Sequence, residues 1–151
     1  MFQIAYHSPI GPIYMAEEGE KITWIGFSPL TGGASFETPL LTYAKEQLSS
    51  YFAGTRREFD LPLHLKGTDF QRRVWAGLQE IPYGETWSYK DLAIAVGSPK
   101  GYRAVGLANN RNPVSIVIPC HRVIGANGKL VGYGGGLNKK EILLDLEKTM
   151  N

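Results

Sequence analysis

The chain has one cysteine, three histidines and no apolar run long enough to cross a membrane. A lone thiol excludes an internal disulfide, so 151 residues must fold on a hydrophobic core alone, and a reactive thiol lasts best in a reducing, cytoplasmic compartment. Histidines at 7, 64 and 121 with a single cysteine give no zinc-ligand spacing, and no metal is expected. The run Gly134-Gly135-Gly136 is not followed by Gly-Lys-Ser or Gly-Lys-Thr, so it is no phosphate loop; it reads as a flexible lip, and no cofactor is expected. The first residues alternate as a strand with no basic-plus-apolar leader, which points away from secretion and membranes. A formal charge of +2 makes no case for nucleic acid by itself, so any such case must rest on where the charges sit.

What is present concentrates around the cysteine. The stretch from Asn112 to Ile118 is a β-branched run interrupted by Pro113 and stopped by Pro119, which predicts a short buried strand that delivers Cys120 at its end. A lone cysteine is more often an inert buried thiol, but His121 and Arg122 are the groups that favour thiolate. In extended backbone consecutive side chains point to opposite faces, so a sulfur–imidazole pair needs either a turn or a bridging water. A histidine base also needs a carboxylate to fix its tautomer. From Asn138 to Met150 the sequence reads as a helix with an apolar stripe of Ile142, Leu143, Leu144, Leu146 and Met150, and Glu147 falls inside that stripe. Glu141, Asp145 and Lys148 fall on the far side.

A second constellation lies upstream. Ser88 with Asp91 reads as a capping box, Gly97 as a stop, and Ser98-Pro99 as the start of a second helix running to about Asn109, together a helix-turn-helix. Gly101, Ala104, Val105 and Ala108 give that second helix a nearly bare face, which suits either close packing on another helix or recognition of a minor groove by shape. Lys100, Arg103 and Arg111 bring charge to the neighbourhood, and Tyr89 and Tyr102 bring aromatic surface.

Taken together, Ile81-Pro82-Tyr83-Gly84-Glu85, Ser88-Tyr89, Arg103-Ala104-Val105-Gly106, Asn112-Pro113-Val114, Ile118-Pro119-Cys120-His121-Arg122-Val123 and Gly132-Tyr133 closely resemble the motifs of the methylated-DNA–protein-cysteine methyltransferases, in order and spacing from about Thr68 to Met150. The resemblance implies DNA repair in a single turnover: Cys120 takes the alkyl group from O6 of guanine in double-stranded DNA, with O4-alkylthymine left open as a second substrate. It assigns His121 as base through a water, Glu147 as its orienting partner and Asn112 as the hinge to the nucleophile. Arg103 resembles the finger that fills the gap of a flipped base, Tyr89 the residue that crowds the target phosphate, and Tyr133 the donor to guanine N3. Val123 would read the base edge through its backbone, while Ala104, Lys100, Arg111 and Gly134 complete the DNA and substrate contacts. The chain departs from the family pattern at Gly134 and at Asn109 and Asn110. A monomer is implied, with cooperative loading on DNA open, and association with the nucleoid when bound.

The resemblance also implies an α+β fold: a small ribonuclease-H-like sheet domain over residues 1–66, then a helical, winged-helix-like DNA-binding domain over 67–151. The N-terminal pattern agrees, with Phe2, Ile4 and Tyr6 alternating, a turn near Pro9 to Pro12, a strand from Ile22 to Phe27 and a loop from Ser28 to Pro39. Leu40, Leu41, Ala44, Leu48 and Phe52 mark a helix ended by Gly54, and Phe59, Leu61, Leu63 and Leu65 alternate as a further strand. This region carries no catalytic constellation and reads as support. Three rivals remain: a hydrolase built on Cys120, His121 and Glu147, a damage sensor of the alkyltransferase-like type, and a helix-turn-helix transcription regulator.

Overall fold

The computed structural model describes residues 1–149. Met150, placed above in the apolar stripe, lies outside them. Strands β1 (Phe2–Ser8), β2 (Gly11–Glu18) and β3 (Lys21–Gly26) form an antiparallel meander, and the short β4 (Ala34–Ser35) joins β1 in parallel to give the order β3-β2-β1-β4. In β2 the neighbours Met15 and Ala16 face opposite ways, yet both are fully buried. A strand covered on both sides loses the alternation that betrays a half-exposed one.

Helix α1 (Pro39–Phe52) starts where Thr38 Oγ1 accepts the Leu41 N–H at 3.1 Å, with proline in its first turn. It buries Leu41, Ala44, Leu48 and Tyr51, and Gly54 follows at φ +80°. The chain then returns through 59–65, where the expected strand is reduced to a single bridge. Ile22 N–H donates to Pro62 O at 2.8 Å and His64 N–H to Ile22 O at 2.9 Å. Pro62 has no N–H to extend a ladder, so the segment alternates in burial but pairs no further than this bridge.

The second half is helical. Helix α2 (Asp69–Leu78) opens on a reciprocal capping box between Thr68 and Gln71. A two-residue strand β5 (Trp87–Ser88) leads into α3 (Tyr89–Ala95), capped by Ser88 and Asp91 as the sequence suggests. Helix α4 (Tyr102–Asn110) begins three residues later than the Ser98-Pro99 signal implies, because Gly101 N–H closes a turn on Ser98 O at 2.8 Å before the helix starts. The bare face divides. Val105 and Ala108 pack into the core against α2, while Tyr102, Arg103, Ala104, Leu107 and Asn110 face solvent. Strand β6 (Val123–Ile124) pairs in parallel with β5, and α5 (Leu137–Thr149) closes the described chain.

The strand expected over 112–118 is a compact turn instead. Ile118 N–H donates to Val114 O at 3.0 Å, Val117 N–H to Ser115 O at 2.9 Å, and Ile116 sits at φ +72°. Val114, Ile116 and Ile118 are buried because the turn is pressed against β3, where Ile25 N–H reaches Pro113 O and Ser115 N–H reaches Ile25 O. In α5 the inward face is Lys140, Leu143 and Glu147, with Leu144 and Leu146 half-buried and Ile142 exposed. The expected stripe is therefore rotated toward Glu147 and brings in Lys140, which was not part of it.

Trp75, buried in α2, donates its indole N–H to Ala108 O at 2.9 Å and so ties α2 to the last turn of α4. Trp75→Phe removes the indole N–H and part of the buried ring, and leaves Ala108 O with the Arg111 N–H alone. It should lower the unfolding free energy by about 1–3 kcal/mol, seen as a lower urea midpoint at unchanged slope.

Candidate active site

Cys120 opens a single 3₁₀ turn, Cys120–Arg122, directly after Pro119. The turn sends the two following side chains inward onto α5 and makes no direct sulfur–imidazole hydrogen bond. His121 is fully buried, with Nε2 2.6 Å from Glu147 Oε2. Arg122 places Nε 2.7 Å from Glu147 Oε1 and Nη2 3.1 Å from Oε2, and its Nη1 donates to Ile81 O at 2.7 Å. Tyr51 of α1 donates its hydroxyl to Glu147 Oε2 at 2.6 Å.

Burial alone would raise the Glu147 pKa, but the hydrogen bonds from His121 and Arg122 and the Arg122 charge outweigh it and hold the carboxyl down to about 2. Burial pushes His121 the other way, below its usual range, so the imidazole is neutral at pH 7. An ionised Glu147 then fixes the tautomer: Nε2 carries the proton and donates, and Nδ1 is left as the basic nitrogen. Nδ1 is buried and has no hydrogen-bond partner, the Cys120 sulfur included.

Burial pushes the Cys120 thiol up, while the Asn112 amide and the Lys140 ammonium favour the thiolate. Arg122 does not take the part suggested by its place in the sequence, because its guanidinium is engaged by Glu147 and Ile81. The cation near sulfur is Lys140, which sequence reading passed over. Its signal was there: Lys140, Leu143 and Glu147 share one helical face. Lys140 is fully buried and donates to Val123 O at 2.6 Å, Val131 O at 2.8 Å and Gly132 O at 3.3 Å, with burial bringing its pKa down to about 8.

Asn112 holds the turn that presents the cysteine, donating to Ile118 O at 2.7 Å and accepting the Val114 N–H at 2.9 Å. Beside Cys120 lies a cavity of about 230 Å³ with Asn109, Asn112, Ser115, Tyr133 and Gly134 on one side. Trp24 and Phe27 complete it from the sheet domain, so that domain is more than support. Phe27 also packs on Tyr133 at 5.6 Å between ring centroids. Tyr133 Oη is buried without a partner. Val123 follows the turn, its N–H bonded to Cys120 O. Tyr89 is half-buried at the start of α3 and donates to Val131 O at 3.2 Å. Lys100, Arg103, Ala104 and Arg111 stand apart from the cavity on the exposed side of the helix-turn-helix.

Two shifts give acid sensitivity the same sign. The unfolded chain takes up protons at His121 below about pH 6.5, and at Glu147 below its ordinary carboxylate range, before the folded chain does. The stabilisation from Glu147 is complete above its unfolded pKa and is lost as pH falls toward its folded value near 2. On the order of 3 kcal/mol should disappear over that interval. Denaturant titrations from pH 7 to pH 2 should find it, and Glu147→Gln should be less stable at pH 7 with a flattened slope below pH 4.5.

Family models describe the two halves of the chain in the same terms: residues 1–65 match the ribonuclease-like domain of 6-O-methylguanine DNA methyltransferase, and 69–149 match its DNA binding domain. A methylated-DNA–protein-cysteine methyltransferase of Methanosarcina acetivorans is 49% identical, covering 97% of this chain and 98% of that protein. The constitutive one of Bacillus subtilis is 48% identical over 93% of this chain and 92% of its own. Among solved structures, Mycobacterium tuberculosis OGT in complex with DNA superposes with a TM-score of 0.92 at 48% identity, covering 99% of this chain and 94% of that one. The chain belongs to the 6-O-methylguanine DNA methyltransferase family.

Proposed function

We propose that this protein repairs DNA by moving the alkyl group from O6 of an alkylated guanine to Sγ of Cys120, once per molecule. The observation that carries the reading is the fully buried His121, next to Cys120 in the chain, with Nε2 2.6 Å from Glu147 Oε2 and Nδ1 free of any partner. One water between Sγ and Nδ1 relays the thiol proton to the imidazole. The thiolate then attacks the alkyl carbon: an S–C bond forms, the C–O6 bond breaks, and its electron pair leaves on guanine. The departing base regains a proton, to which the buried Tyr133 hydroxyl contributes by donating to N3. The product thioether has no leaving path, so the protein is consumed.

Relatives named for methylated DNA, and one solved with DNA bound, support double-stranded DNA as the partner. Arg103 and Ala104 lie on the exposed side of α4, where Arg103 enters the stack as the finger for the extruded base, with Lys100 and Arg111 on the phosphates. Tyr89 crowds the target phosphate, Asn112 couples α4 to the nucleophile's turn, and Val123 and Gly134 flank the base. Every group in this scheme comes from one chain, which supports a monomer, and the unpaired thiol suits a reducing cytoplasm.

Incubation with a duplex carrying one O6-methylguanine should add one methyl group per protein, mapped to Cys120. Cys120→Ser should abolish transfer and keep DNA binding; an unmodified wild-type protein would refute the assignment. Arg103→Ala should slow transfer from duplex DNA by roughly tenfold to a hundredfold while leaving the reaction with the free base unchanged.

A further inference from the structure

Tyr51 has no part in the transfer scheme, yet it touches the group on which that scheme turns. It sits in the last turn of α1, fully buried, with its ring 5.4 Å from that of Phe52, 5.6 Å from Phe59 and 6.3 Å from Tyr83 between centroids. Packing accounts for the ring and leaves the hydroxyl to be explained. That hydroxyl lies 2.6 Å from Glu147 Oε2, the same oxygen that holds His121 Nε2 at 2.6 Å. Burial and then the Glu147 charge raise the phenol's pKa, so the hydroxyl keeps its proton and donates to the carboxylate.

Glu147 does not need this donor for its orientation. Arg122 already grips both oxygens, with Nε on Oε1 at 2.7 Å and Nη2 on Oε2 at 3.1 Å, and Gly84 N–H approaches Oε1 at 3.5 Å. Oε2 therefore has three donors for about two lone pairs, and the phenol competes with the imidazole for one atom. A carboxylate oxygen that accepts a strong hydrogen bond is a weaker base and holds an imidazolium less tightly.

The remaining groups around the thiol and the imidazole are the same whatever stands at position 51. Arg122 on the turn and Lys140 on α5 oppose a charge on His121, while the Asn112 amide and Lys140 favour the Cys120 thiolate. Tyr89 of α3 and Tyr133 of the lip face the sulfur as neutral phenols, their pKa values raised by burial and then by Cys120. Tyr83 faces Glu147 in the same state, raised by burial and then by the carboxylate. Resting on the reading that His121 takes the thiol proton, we propose that Tyr51 is a positioning residue that restrains the nucleophile: by sharing Oε2 it weakens the carboxylate's hold on His121 and keeps the resting site as thiol and imidazole rather than thiolate and imidazolium. A protein consumed by one alkylation is lost to any stray electrophile, and the thiolate is the form that reacts.

Alkylation of Cys120 by iodomethane without DNA tests this, followed by intact mass across the range from about pH 6 to pH 10. Sulfur displaces iodide and gains the methyl group, so the rate reads the thiolate fraction. The wild type is compared with Tyr51→Phe and with the protein carrying 3-fluorotyrosine at position 51, whose more acidic phenol donates more strongly. Below the pH at which the thiol loses its proton to solvent, thiolate arises only by transfer to His121. That plateau should rise about three- to tenfold in Tyr51→Phe and fall in the fluorotyrosine protein. At high pH the thiol ionises without the imidazole, Lys140 loses its charge in all three proteins alike from about 8 upward, and the three rates should converge. A loosened fold would instead speed alkylation in both altered proteins and at every pH. Plateaus without this opposite sign, or a difference that persists at high pH, overturn the proposal. The assay uses no damaged duplex, so a wild-type protein that takes no methyl group from O6-methylguanine overturns the transfer reading separately.

Discussion

The site depends on one buried carboxylate. Glu147 accepts from His121, from two nitrogens of Arg122 and from Tyr51, and each of these donors belongs to a different task. The imidazole adjoins the cysteine, the guanidinium balances the charge and reaches Ile81, and the phenol comes from the sheet domain. A carboxylate so deep in the protein is tolerable only because its oxygens are almost fully engaged and a guanidinium offsets its charge. Remove the carboxylate and three buried donors lose their acceptor together, with the histidine free to take the wrong tautomer.

The same contact explains why two domains of different architecture share one site. Tyr51 reaches across from α1 to α5, Ile25 pairs with the turn that presents Cys120, and Trp24 and Phe27 wall the cavity. Substrate pockets favour such seams because two rigid surfaces enclose a concave space that neither makes alone. Phe27 packs on Tyr133, so the lip segment is positioned by a residue more than a hundred positions away in sequence.

Around the thiol, burial and charge oppose each other. Burial favours the neutral thiol, which protects a consumable nucleophile from adventitious reaction, and Lys140 and Asn112 keep the thiolate within reach. Lys140 does this while its ammonium holds the carbonyls of Val123, Val131 and Gly132, the last of which lines the cavity. Electrostatics and shape at this site therefore run through one side chain.

The sequence alone determined the chemistry and most of the elements. One cysteine beside histidine, a carboxylate inside a helical stripe, capped short helices around a glycine stop and the spacing of the family motifs are local or periodic facts, and periodicity is what a chain displays before it folds. The fold decided what depends on distant partners. Residues 112–118 have strand composition but close into a turn because β3 and the helices press on them. Residues 59–65 alternate but pair only at the Ile22–Leu63 bridge, because Pro62 has no donor to extend it. Arg122 stands next to the thiol in sequence and serves the carboxylate, whereas Lys140, twenty residues on, supplies the nearby charge. Val105 and Ala108 went to the core and left Arg103 and Ala104 outside, a division set by where α2 lies. Which polar atom is left unpaired, as at Asn109 and His121, is a property of the finished hydrogen-bond network, and no local pattern of residues encodes it.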